Sequence, residues 1–140
     1  MPRHCFTYGS LMCEDIMRAV SGHEGVHEPA ELAGYSRHPV TGEDYPGIRP
    51  QAGGRVVGVL YRDLPAAAFE RLDAFEGSQY LRRTTRIALR DATEVAAETY
   101  VFRPEFGHLL GAGDWDFEAF LRHGKRRFEA RYVGYARIAR

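Results

Sequence analysis

The stretch Arg55-Val56-Val57-Gly58-Val59-Leu60-Tyr61 restricts the fold of this chain more than any other. It runs without polar alternation and is rich in valine, which predicts a strand covered on both faces. Such a strand needs partners, and other β-rich runs supply them. These are His4 to Tyr8, Ala30 to Arg37, Tyr80 to Leu89 and Val95 to Arg103, the last two joined as a hairpin through Asp91-Ala92-Thr93. Helical signals are fewer. Leu11 to Val20 follows Ser10, a fitting N-cap. Leu64-Pro65 opens a second helix with the stripe Phe69, Leu72 and Phe75, stopped by Gly77. A last helix over residues 114–134, capped by Asp114, gathers Phe117, Phe120, Leu121, Phe128 and Tyr132 on one face. Ser21 to Glu28 reads as a polar loop. His38 to Gly54, rich in proline and glycine, reads as loop with a short extended piece at Tyr45 to Arg49. Strands outnumber helices, and few connections can be right-handed crossovers. The expectation is an α+β fold, a small mixed β-barrel with flanking helices, rather than a doubly wound sheet.

A chain of 140 residues is long enough for one core and short for two, so residues 1–140 are read as a single domain. Apolar residues make up 44 % and charged residues 27 %, which excludes a disordered or fibrous chain. No apolar run nears the ~18 residues of a membrane span. Met1-Pro2-Arg3-His4 leads straight into the first strand run, which predicts no signal peptide and no membrane partner. The charges cancel, 19 basic against 19 acidic, and a zero total speaks against a dedicated nucleic-acid binder. The only cysteines, Cys5 and Cys13, form no CxxC pair and fit a reduced, cytoplasmic setting.

Four features compete as the seat of chemistry. Tyr8-Gly9-Ser10-Leu11 stands where a strand gives way to a helix, a turn whose backbone N–H groups can hold an anion or a carbonyl oxygen. Read blandly, it is a plain strand-to-helix turn. Glu76, before Gly77, faces the unfavourable end of a helix dipole, where stability alone favours a cation. Apolar surroundings would raise its pKa and make it a usable general base; the bland reading is a solvated glutamate paired with Arg82 or Arg83. His23-Glu24-Gly25-Val26-His27 matches a zinc-protease pattern, but Gly22, Gly25 and Pro29 deny it the stable helix that the chemistry needs. Arg122, Lys125, Arg126, Arg127 and Arg131 form a basic cluster that suits the polar face of the last helix better than a phosphate backbone. No metal site and no nucleic-acid partner is therefore expected.

The first two features, taken with three further stretches, resemble the γ-glutamylcyclotransferase-like family, which includes the γ-glutamylamine cyclotransferases and the plant avirulence-induced proteins. The stretches carrying the likeness occur in family order: Phe6-Thr7-Tyr8-Gly9-Ser10-Leu11, Ala30-Glu31-Leu32-Ala33-Gly34-Tyr35, Tyr45-Pro46-Gly47-Ile48, residues 54–61, and Leu72-Asp73-Ala74-Phe75-Glu76-Gly77 followed by Tyr80-Leu81-Arg82. The likeness spans about residues 4–103. It implies a cofactor-free reaction on a small-molecule γ-glutamyl amide, whose own α-amine attacks its γ-carbonyl to release 5-oxoproline and an amine. It implies Glu76 as the proton-transferring catalytic residue, Gly9, Ser10 and Leu11 as backbone donors to the substrate, and Tyr8, Tyr45 and Tyr80 as pocket walls, with Tyr80 also a candidate hydroxyl donor. The alternative is a catalytically silent small-molecule binding module on the same fold.

Overall fold

The computed structural model describes residues 3–131. Strand β1 (Arg3–Thr7) ends in a short 3-10 turn (Ser10–Met12), and helix α1 (Glu14–Ser21) follows. Ser10 therefore heads the turn rather than capping the helix, whose N-cap is Cys13. Glu14 and Asp15 place negative charge on the first turn of α1, the favourable end of its dipole. Strands β2 (His27–Pro39) and β3 (Pro46–Leu64) make a long antiparallel hairpin. Helix α2 (Ala66–Glu76) leads into β4 (Tyr80–Leu89), which pairs along its length with β5 (Glu94–Phe102). The strands close in the order β1-β3-β2-β4-β5, sealed by a parallel contact of Cys5 with Glu98. The expected small mixed barrel with flanking helices is present.

Three readings need correction. Most of the predicted loop from His38 to Gly54 is strand: β2 runs on through Pro39, β3 starts at Pro46, and Pro39 sits opposite Pro46. The prolines are tolerated because they stand at strand ends and beside a bulge, where no ladder N–H is needed. That bulge lies where the register jumps from Ala33 opposite Arg55 to Tyr35 opposite Pro50. The valine-rich run is covered on one face more than the other. Val56 and Leu60 are buried in the barrel, whereas Val57 is 57 % exposed. Finally, Asp116 rather than Asp114 caps the last helix, accepting from the Ala119 N–H.

That last helix is composite: α3 (Phe117–Ala119), a π turn (Phe120–Gly124) and α4 (Lys125–Arg131). Phe120 and Phe128 are buried, but Leu121 is not part of their face. Tyr132 and the predicted helix end near Gly134 lie outside the described residues. Two apolar clusters result. Phe6, Leu32, Ile48, Val56, Leu60 and Ile87 fill the barrel. Ile16, Met17, Leu64, Phe69, Leu72 and Phe128 join the barrel's outer wall to the helices.

Candidate active site

The outer cluster fixes the end of α2, and with it Glu76. Phe69, Leu72 and Phe75 bury the apolar stripe of that helix. Gly77 then takes φ 80° and ψ −160°, a left-handed conformation that side-chain-bearing residues rarely adopt. The chain reverses there, leaving Glu76 as the final helical residue and bringing Tyr80 in as the first of β4. Opposite lies the turn after β1. At Gly9 an added Cβ would stand 2.7 Å from Cδ of Pro46, so only glycine lets this turn meet the start of β3. Arg37 holds the turn from below, its Nη1 donating to the Tyr8 carbonyl at 2.8 Å.

These elements enclose a narrow, partly open cleft. Tyr8, Gly9, Ser10, Leu11, Tyr45, Glu76 and Tyr80 all line it. The structure thus brings together every residue that the sequence singled out for the site. The N–H groups of Ser10 and Leu11 open a helical turn and have no acceptor within it. No lysine, arginine or histidine is among the described residues lining the cleft.

Glu76 has no ion-pair or hydrogen-bond partner among the described residues, so the pair with Arg82 or Arg83 that the bland reading supposed is not formed. Arg82 turns instead to Asp73 at 3.2 Å and to Glu98 at 3.6 Å, with its guanidinium 4.9 Å above the Phe69 ring. Burial pushes the Glu76 carboxyl up to about 8, and the negative charge of Asp73 adds to that. A carboxyl that holds and releases a proton near neutrality is what general acid–base chemistry requires.

Two of the three tyrosines have already committed their protons. Tyr8 donates to the Tyr100 carbonyl at 2.5 Å and Tyr80 to the Pro46 carbonyl at 2.7 Å. The Tyr80 hydroxyl is therefore occupied as a donor, against the expectation from sequence. Burial, with Glu76 nearby, raises both phenols well above their ordinary range. Tyr45 and Tyr80 lie beside each other, ring centroids 6.3 Å apart and planes tilted by 55°. Two contributors were missed from sequence. Tyr100 also lines the cleft, and its hydroxyl donates to Asp73 at 2.6 Å. Arg37 supports the turn. Neither carries a local motif, since each acts on partners more than twenty residues away in the chain.

The other candidates lie elsewhere. His27 begins β2 and contacts Glu14 at 2.9 Å, while His23 sits in the preceding loop, so the two do not share a helix. Arg127, Arg131 and Lys125 pair with Asp44, Glu43 and Asp15. Cys5 is fully buried, and burial pushes its thiol far up.

A family model described as gamma-glutamyl cyclotransferase, AIG2-like, matches residues 5–117. AIG2-like protein C of Arabidopsis thaliana is 33 % identical over 124 residues, covering 88 % of this chain and 72 % of that protein. Protein AIG2 B of the same plant is 33 % identical over 118 residues, covering 84 % and 69 %. A solution structure of an Arabidopsis thaliana protein superposes with a TM-score of 0.69 at 29 % identity, over 93 % of this chain and 87 % of the other. A solved gamma-glutamyl cyclotransferase gives a TM-score of 0.67 at 16 % identity over 74 % and 68 %, a likeness of fold.

Proposed function

We propose that this chain, which belongs to the gamma-glutamyl cyclotransferase, AIG2-like family, cleaves γ-glutamyl amides by cyclisation, giving 5-oxoproline and a free amine. The α-amine of the substrate attacks its own γ-carbonyl carbon. A C–N bond forms to close the five-membered ring, and the C–N bond to the departing amine breaks. The nucleophile comes with the substrate, so the protein has only to fold the chain, move protons and stabilise charge. Holding the amine against the carbonyl in one narrow cleft supplies proximity.

Glu76 moves the protons. Its carboxylate takes one from the α-ammonium, and its carboxylic acid returns one to the leaving nitrogen, so the group ends as it began. The N–H groups of Gly9, Ser10 and Leu11 face the developing oxyanion or the α-carboxylate. Tyr8, Tyr45 and Tyr80 wall the cleft and keep bulk water from the reacting atoms. The observation that carries this reading is Glu76 itself: a carboxyl raised to about 8, paired with no cation among the described residues, in the same cleft as the amides after β1.

The test is 5-oxoproline release from γ-glutamyl amino acids, ε-(γ-glutamyl)-lysine, γ-glutamyl polyamines and glutathione, with Glu76→Gln alongside. At least one compound should be turned over by the native chain and about a thousandfold more slowly by the variant. Equal rates in the two proteins would end the assignment of Glu76. Ligand-dependent stabilisation without product would favour a silent binding module.

A further inference from the structure

We propose that Tyr100 holds the α-ammonium of the γ-glutamyl substrate as a hydrogen-bond acceptor, and that Asp73 is the positioning residue that fixes it in that role. The choice of ligand rests on the cyclotransferase reading; the polarity of the site rests on geometry. A phenol has one proton to donate and lone pairs to accept with. Tyr100 gives its proton to Asp73 Oδ1 at 2.6 Å. Only acceptor capacity then remains on its oxygen. The Asp73 carboxylate is itself held at 3.2 Å by Arg82, whose guanidinium rests on Phe69. It is therefore not free to swing away and release the hydroxyl.

Tyr8 and Tyr80 are also committed as donors, but to backbone carbonyls. Tyr100 differs because its partner is a carboxylate. A hydrogen bond to a charged acceptor is the stronger kind, and donating it makes the phenolic oxygen a better acceptor in turn. With Glu76 alongside and no basic side chain among the described residues that line the cleft, this part of the cleft offers electron pairs. The turn after β1 offers N–H groups. An amino-acid head group needs that division: acceptors for its ammonium, donors for its carboxylate. An ammonium has three N–H bonds. One is surrendered to Glu76 in the reaction, and the others need acceptors before and during attack.

The experiment compares two ligands that differ only at the amine: L-glutamine, the simplest γ-glutamyl amide, and glutaramate, the same chain without the α-amine. Calorimetric affinities are measured for the native chain, Tyr100→Phe, Asp73→Leu and Asp73→Asn, with 5-oxoproline followed in parallel. The native chain is expected to prefer L-glutamine roughly tenfold, the scale of one charge-assisted hydrogen bond. Tyr100→Phe and Asp73→Leu should bring that ratio near one. Asp73→Asn, which keeps a carbonyl to receive the Tyr100 proton, should retain most of it. A purely structural role would weaken both ligands alike and leave the ratio untouched. A native chain without preference, or a ratio unchanged in Tyr100→Phe, overturns the proposal. A ratio unchanged in Asp73→Leu removes Asp73 from it. Preference without any 5-oxoproline would support the ammonium site while counting against the cyclotransferase reading.

Discussion

Between about pH 4.5 and 8 the folded protein keeps a proton on Glu76 that the unfolded chain has released. The folded state then binds more protons than the unfolded one, so stability falls as pH rises through that window. Below it both states are protonated and the residue is neutral in the balance. Above it both are ionised, and the folded state bears the whole cost of a buried carboxylate beside Asp73. Glu76→Gln removes the ionisation. The variant should melt a few degrees higher than the native chain at about pH 8.5 and at the same temperature at about pH 4.5, as followed by scanning calorimetry. An equal shift at both values would mean that packing, not charge, separates the two proteins. A residue that lowers stability where the protein works is the kind of feature that function retains.

At the scale of elements, the site depends on the contact between the turn after β1 and the start of β3. Gly9→Ala would place a methyl group 2.7 Å from Cδ and 2.8 Å from Cγ of Pro46. The turn must then move off β3, taking the Ser10 and Leu11 amides with it. A displacement near an ångström costs on the order of a hundredfold in kcat/KM, and that loss is expected in steady-state 5-oxoproline assays, with a far-UV spectrum like that of the native chain. The strand-to-helix switch at Tyr8-Gly9-Ser10 and the stop at Gly77 were legible in the sequence because local backbone chemistry sets both. The β2–β3 extension was not. Pro39, Pro46 and Pro50 read as breakers when met one at a time, yet each stands where a strand can lack an N–H. Tyr100 was equally hidden. Within Val95 to Arg103 it looks like any strand aromatic, and its role comes from Asp73 on a different element. Partnerships of that range leave no pattern in a single sequence.

Over the whole molecule, the segment from Asp114 onward ties the walls of the cleft together. Asp114 pairs with Arg37, the residue that holds the Tyr8 carbonyl. Trp115 donates from Nε1 to the Asp44 carbonyl at 3.0 Å, and Arg127 reaches the carboxylate of the same residue. Phe128 packs edge-on to Tyr45 at 6.5 Å and to Phe75 at 5.9 Å, so it touches both the tyrosine wall and the residue before Glu76. The family match stops at residue 117, and most of this helix lies beyond it. The ion pair and the ring should differ sharply in weight. Arg127 is 62 % exposed at its side chain, and such pairs contribute about 0–1 kcal/mol. Phe128 is fully buried, and truncating such a ring costs about 3–5 kcal/mol. Urea denaturation of Arg127→Ala and Phe128→Ala should separate the two by that margin. At a temperature where both remain folded, Phe128→Ala should also raise KM, because Tyr45 loses its backing, while Arg127→Ala should leave KM near the native value. A Phe128→Ala protein with lowered stability and native KM would mean that the helix supports the core without shaping the cleft.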